Sequence, residues 1–173
     1  DWGFAVSLGG FDQESSDRML NEPISLFRAN GAILTLSWMP SGIDLRPILM
    51  LNRFTDESNE IRLCELTVYG SSNGATISET DLHNGYRIYV ISEDFGVNSS
   101  MQMYVQYSSS GNIVLEKMFG SLTGPTGDCE DPLTDDYILF GKGGFAPSAI
   151  DSEPNDFDVP DLQARVDDIV FFN

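Results

Sequence analysis

Met101-Gln102-Met103-Tyr104-Val105-Gln106-Tyr107 is the stretch on which the fold class turns. Met101, Met103, Val105 and Tyr107 fall on one side, and Gln102, Tyr104 and Gln106 on the other. Successive side chains of an extended chain point to opposite faces, so this is a strand with one face buried and one wetted. Ser108-Ser109-Ser110-Gly111-Asn112 supplies turn residues, and Ile113 to Phe119 reads as the returning strand. Tyr86 to Ile91 forms another strand after the Asn84-Gly85 punctuation. The region therefore predicts consecutive antiparallel strands.

Working outward, the same period recurs. Trp2, Phe4, Val6 and Leu8 alternate with Gly3, Ala5 and Ser7, and Gly9-Gly10 ends that strand. Phe11 to Pro23 reads as a long connection with one helical turn near Asp17 to Leu20. Ile24 to Phe27 and Ala32 to Trp38 flank Arg28-Ala29-Asn30-Gly31, where Asn-Gly provides the positive φ angles of a tight hairpin. Pro40-Ser41-Gly42 closes the second of these strands. Ile48 to Leu51 is apolar on both faces, and Ile61 to Tyr69 slips phase between Leu63 and Leu66, as a bulge would cause. Tyr137 to Phe140 and Leu162 to Phe172 complete the set. Helical periodicity is nowhere sustained. Short strands with turn signals between them predict an all-β jelly-roll sandwich of two antiparallel sheets. No repeat or linker divides residues 1–173, so a single domain is expected.

Twenty-seven acidic residues against nine basic ones give a formal net charge of −18. Nucleic acid is a poor partner for such a chain, because phosphate binding needs a clustered basic surface. Anionic membranes are disfavoured for the same reason, and no apolar run reaches the length of a membrane span. The chain reads as a mature or excised segment of a secreted or cell-surface protein. Cys64 and Cys129 show no zinc-like spacing and leave a disulfide open, and Asn98-Ser99-Ser100 is a glycosylation sequon.

Arg165-Val166-Asp167-Asp168-Ile169-Val170-Phe171-Phe172-Asn173 resembles the terminal strand of concanavalin A-like lectin/glucanase domains, the laminin-G-like group included. Tyr137-Ile138-Leu139-Phe140-Gly141 is similar to the strand before it, and the pair Tyr86–Ile91 and Met101–Tyr107 to the family's central hairpins. The resemblance covers roughly the second half of the chain. It implies a jelly roll whose concave face or rim loops bind carbohydrate, in many relatives with calcium nearby.

Alternation places Asp168 in phase with Val166 and Val170, and Asp167 in phase with Ile169 and Phe171, so one carboxylate is expected to point where apolar side chains point. A buried carboxylate needs a hydrogen bond, a counter-charge or a metal. Pairing with Arg165, capping of a turn and a cation site each answer that need. Asp151, Glu153, Asn155, Asp156 and Asp158 set oxygen ligands close together just upstream, as hard cations such as Ca2+ require. The run departs from an EF-hand, since Asp156 stands where glycine makes the turn. A solvated acidic loop is the more frequent explanation of such a run, because like charges without a cation repel and stay hydrated.

Catalytic patterns are mostly missing. The Glu-x-Asp-x-x-Glu arrangement of the family's glycosidases fails at Asn84, where Glu79 and Asp81 come nearest to it, and His83 is the sole imidazole available to a nucleophilic triad. Arg87, Tyr89, Gln102 and Tyr104 are the residue types that a jelly-roll polysaccharide lyase uses, provided their strands are neighbours. The Gln-x-His strand of alginate lyases is absent. The same residues, with Gln106, suit non-catalytic binding of a neutral glycan, since aromatic rings pack against sugar rings and planar amides bond hydroxyls. Trp38 alternates with Leu34 and Leu36 and reads as core, as does Trp2. The expected function is an extracellular carbohydrate-binding domain of a larger protein, possible calcium stabilisation included. A polysaccharide lyase is the alternative, and an adhesive module contacting a protein through its acidic loops is the second.

Overall fold

The computed structural model describes residues 2–10, 12–29, 32–53, 66–69, 75–93, 100–118, 138–141, 144–147, 156–159 and 161–172. Among them are strands β1 (Trp2–Gly9), β2 (Ile24–Ala29), β3 (Ala32–Ser41), β4 (Asp44–Arg53), β5 (Leu66–Tyr69), β6 (Ile77–Ser78) and β7 (Tyr86–Glu93). They continue with β8 (Ser100–Ser109), β9 (Asn112–Lys117), β10 (Ile138–Phe140), β11 (Gly144–Pro147), β12 (Asp156–Val159) and β13 (Arg165–Phe172). Helices α1 (Gln13–Asn21) and α2 (Glu79–His83) interrupt this series. One sheet runs β13-β1-β7-β8-β9, the other β10-β2-β3-β4-β5 with β6 beside β4, and every pairing is antiparallel. The protein is an all-β sandwich of two antiparallel sheets, as the alternation predicts. Ala29 pairs with Ala32, the register of a two-residue Asn-Gly hairpin.

The core lies between the sheets. Phe4, Val6 and Leu8 of β1, Ile88 and Val90 of β7, and Met103 and Val105 of β8 meet Leu26, Leu34, Leu36 and Leu49 of the facing sheet. Phe4 is the aromatic hub, with ring centroids 5.6 Å from Phe27, 5.1 Å from Phe171 and 6.0 Å from Phe140. Trp38 is core, only 5% exposed, and its Nε1–H donates to the hydroxyl of Tyr86 at 3.1 Å across the sandwich. Burial drives the Tyr86 hydroxyl strongly towards its protonated form, and the Trp38 bond offsets this only in part.

Four sequence expectations need correction. A nine-residue helix, α1, forms where one turn was expected: Asp12 caps it by accepting from the Ser15 amide at 2.8 Å, and it buries Ser16, Met19 and Leu20. That amide bond holds the Asp12 carboxyl below its usual range. A second helix, α2, starts from Ser78, whose Oγ accepts from the Asp81 amide, and gives way to β7 through Gly85. Only glycine suits position 85, where φ is +91° and a Cβ would stand 3.1 Å from the Leu8 carbonyl oxygen. The acidic run near the C-terminus is not all loop, since Asp156 to Val159 is strand β12, paired with β11 so that Asp156 faces Pro147 and Asp158 faces Phe145.

The last correction concerns Asp168. Along β13 the register runs Gly9↔Arg165, Leu8↔Val166 and Ser7↔Asp167, then resumes at Ala5↔Val170. Val6 is therefore opposed by two residues, Asp168 and Ile169, which defines a β-bulge. The extra residue breaks the parity on which the sequence reading relied. Asp168 takes a left-handed φ of +53°, and its side chain is 70% exposed rather than buried with Val166.

Candidate functional site

The five-stranded sheet carries its polar residues on the face away from the core. Its registers arrange them in rows that cross the strands. Val170, Ala5, Tyr89, Tyr104 and Lys117 form one row, and Asp167, Ser7, Arg87, Gln106 and Leu115 the next. A further row holds Phe172, Gly3, Ile91 and Gln102. The five residues singled out as ligand-binding, Arg87, Tyr89, Gln102, Tyr104 and Gln106, thus come together on β7 and β8, with Tyr89 directly opposite Tyr104.

Hydrogen bonds tie this group into a network. The Tyr89 hydroxyl donates to Gln106 Oε1 at 2.8 Å, and the Tyr104 hydroxyl donates to Gln102 Oε1 at 3.1 Å, an oxygen that also accepts from Lys117 Nζ at 3.1 Å. Each amide has its oxygen engaged in these bonds, which leaves its NH2 group as a donor and the tyrosine oxygens as acceptors. Such alternating donors and acceptors match the hydroxyls of a sugar. A cation lies over one face of each ring, the Arg87 guanidinium 5.4 Å from the Tyr89 ring centroid and Lys117 Nζ 5.7 Å from that of Tyr104, which leaves the opposite faces for a ligand.

Beside the tyrosines the outward-phased residues of β1 are Gly3, Ala5, Ser7 and Gly9, of which Gly3 and Ala5 are buried beneath their neighbours and Ser7 and Gly9 are half-buried. A Cβ at position 3 would collide with the ring of Phe172, which lies over that glycine. Toward the Gly9 end an open groove of about 460 Å³ is lined by Ser7, Gly9, Gly85, Arg87, Gln106 and Arg165 among others. That volume falls within the range of small-molecule sites.

Each groove arginine has its own carboxylate. Arg87 Nη1 donates to Asp168 Oδ2 at 3.1 Å and approaches Ser7 Oγ at 3.4 Å, while Arg165 Nε lies 3.0 Å from Asp167 Oδ2. Arg87 is the more enclosed of the two, with its side chain 26% exposed and its Nε buried without a hydrogen-bond partner. Pairing with Arg165 was among the expectations for the Asp167–Asp168 dipeptide and holds for Asp167, whereas the partner of Asp168 is Arg87, 81 positions away.

The expected cation ligands fare differently. Asp151, Glu153 and Asn155 lie outside the described residues, as do Cys64, Cys129 and Asn98, whereas Asp156 and Asp158 belong to β12. Among the described residues the group spaced to hold a metal ion is Asp17, Glu79 and His83, joining α1 to α2. His83 Nε2 stands 3.5 Å from a carboxylate oxygen of each, and Gln13 donates to Asp17 at 2.9 Å. In this arrangement the His83 ring lies between a carboxylate of α1 and one of α2. Sequence reasoning weighed His83 only as a catalytic base, and its i, i+4 spacing from Glu79 on a Ser-capped turn was the available signal.

No family model matches the chain, and neither a curated protein nor a solved structure does. Among the described residues no helix is long and apolar enough to cross a membrane.

Proposed function

We propose that the protein is an extracellular, non-catalytic carbohydrate-binding domain that receives a neutral glycan on the outer face of its five-stranded sheet. One observation carries this reading: Tyr89 and Tyr104 stand opposite each other on adjacent strands, each with its hydroxyl bonded to a glutamine amide of the same face. The network fixes the rotamers of both rings before a ligand arrives, which lowers the entropic cost of binding. Sugar rings pack their apolar C–H faces on such aromatics, while the amide N–H groups and phenolic oxygens bond the hydroxyls. The adjoining groove extends the surface along β1.

A lyase reading has one observation in its favour, the neighbouring strands of Arg87, Tyr89, Gln102 and Tyr104. In such an enzyme an arginine must neutralise a uronate carboxylate while a tyrosine takes the adjacent proton. Arg87 is already matched by Asp168, so the binding reading is preferred.

Calorimetric titration with neutral gluco-, xylo-, manno- and galacto-oligosaccharides tests the proposal. Saturable binding of at least one series, lost in Tyr89→Ala, is expected. Absence of binding to all four would overturn it, and an ultraviolet-absorbing unsaturated product from a polyuronate would replace it with the lyase.

A further inference from the structure

Asp168 is the one described residue that combines a non-glycine backbone strained into the left-handed region with an ion pair at the candidate site. Ser110, the other non-glycine residue described with a positive φ, sits in the Ser109–Asn112 turn, where that conformation closes a hairpin. At Asp168 the conformation belongs to the β13 bulge. The residue lies inside a strand, and the bulge displaces its carboxylate from the parity of β13. In-phase residues of β13 stand opposite β1; the bulged carboxylate instead reaches Arg87, two strands away, across Ser7. Strain of this kind persists where the surroundings over-determine it, and bulges re-aim side chains beside binding sites.

The electrostatic consequence is specific. Arg87 is the cation nearest the tyrosines on the groove side, half-buried, with its Nε enclosed and without a hydrogen-bond partner. Asp168 cancels its charge, Asp167 cancels that of Arg165, and the chain as a whole carries −18. An incoming carboxylate would meet an arginine already engaged and an aspartate of its own sign, and like-charge juxtaposition at a binding surface rejects a ligand. We infer that Asp168, held by the β13 bulge over Arg87, is the specificity-determining residue that restricts this site to uncharged sugar units and excludes uronates.

This inference rests on the glycan-binding reading, and the experiment separates the two. Wild type, Asp168→Asn and Asp168→Gly are titrated calorimetrically with the best neutral oligosaccharide and with an oligogalacturonate of equal length. Asparagine and glycine both tolerate the left-handed backbone, so each removes the charge and leaves the bulge intact. Thermal melts confirm that the variants are folded. Wild type is expected to favour the neutral chain by at least about tenfold, and both variants to gain about tenfold for the uronate with less than about a threefold change for the neutral chain. An unchanged uronate-to-neutral ratio in folded variants overturns the role of Asp168 while the glycan-binding reading stands. Wild type binding uronate as tightly as the neutral chain overturns it as well. Failure of every protein to bind either sugar overturns the glycan-binding reading and this inference together.

Discussion

The two faces of the five-stranded sheet are written by the same strands, one residue out of step. On β1 the inner series is Phe4, Val6 and Leu8 and the outer series Gly3, Ala5, Ser7 and Gly9. On β8 the inner series is Met103, Val105 and Tyr107 and the outer series Gln102, Tyr104 and Gln106. The inner face is bound by volume, since close-packed side chains forbid both gaps and additions. The outer face is bound by hydrogen bonds and charge pairs between half-exposed groups, which constrain chemistry more than size. A sheet can therefore vary its site without rebuilding its core, provided that parity is kept. Where parity breaks, at Asp168, a residue is transferred from one set of rules to the other.

The comparison is broken most severely from inside. Phe4→Ala removes the ring that contacts Phe27, Phe140 and Phe171 and should cost roughly 3–5 kcal/mol of stability in urea unfolding, as large-to-small core changes do. If the faces are separable, the fraction that remains folded keeps its sugar affinity. Loss of affinity in step with the folded population is expected; loss beyond it would join the two faces.

A smaller effect comes from the rim between the faces. Tyr107 packs on the core, and its hydroxyl donates to Glu116 at 3.0 Å. Burial first, then the bond to Glu116 and the charges of Glu116, Asp81 and Asp44, push its pKa up to about 12 from 10.0. The unfolded chain thus loses this proton first. The contribution is fully present below about pH 10 and is lost as pH rises from there through about 12, because unfolding then releases a proton. In Tyr107→Phe the alkaline decline of stability across that window should be shallower than in wild type. Tyr86 acts in the same direction, so the decline should not vanish.

How much of this was legible follows from the same contrast. The strands β1, β7 and β8 alternate without interruption, so the sequence places their residues on the correct faces, while the β7–β8 pairing that brings Arg87, Tyr89, Gln102, Tyr104 and Gln106 together comes from the structure. Trp38 is read correctly for the same reason, its phase with Leu34 and Leu36. Alternation carries no knowledge of pairing, however. The bulge on β13 appears only when Ser7 and Ala5 are matched to Asp167 and Val170, and the Arg87–Asp168 pair depends on it. Helix α1 escaped because its signal lies in a cap, Asp12 with the Ser15 amide, and in a short apolar stripe rather than in a sustained period. The expected cation ligands Asp151, Glu153 and Asn155 fall outside the described residues.

Tyr104→Ala provides the most direct test, because it is the outer-face neighbour of Met103 and Val105 and removes one ring of the Tyr89–Tyr104 pair. Its melting temperature and its calorimetric affinity for the best neutral oligosaccharide should be measured on one preparation. The account predicts a loss of affinity of about tenfold, which is about 1.4 kcal/mol, against a stability change within about 1 kcal/mol. A variant that melts far below wild type while the folded protein still binds the sugar undiminished would contradict it, and would make Tyr104 a residue of the scaffold.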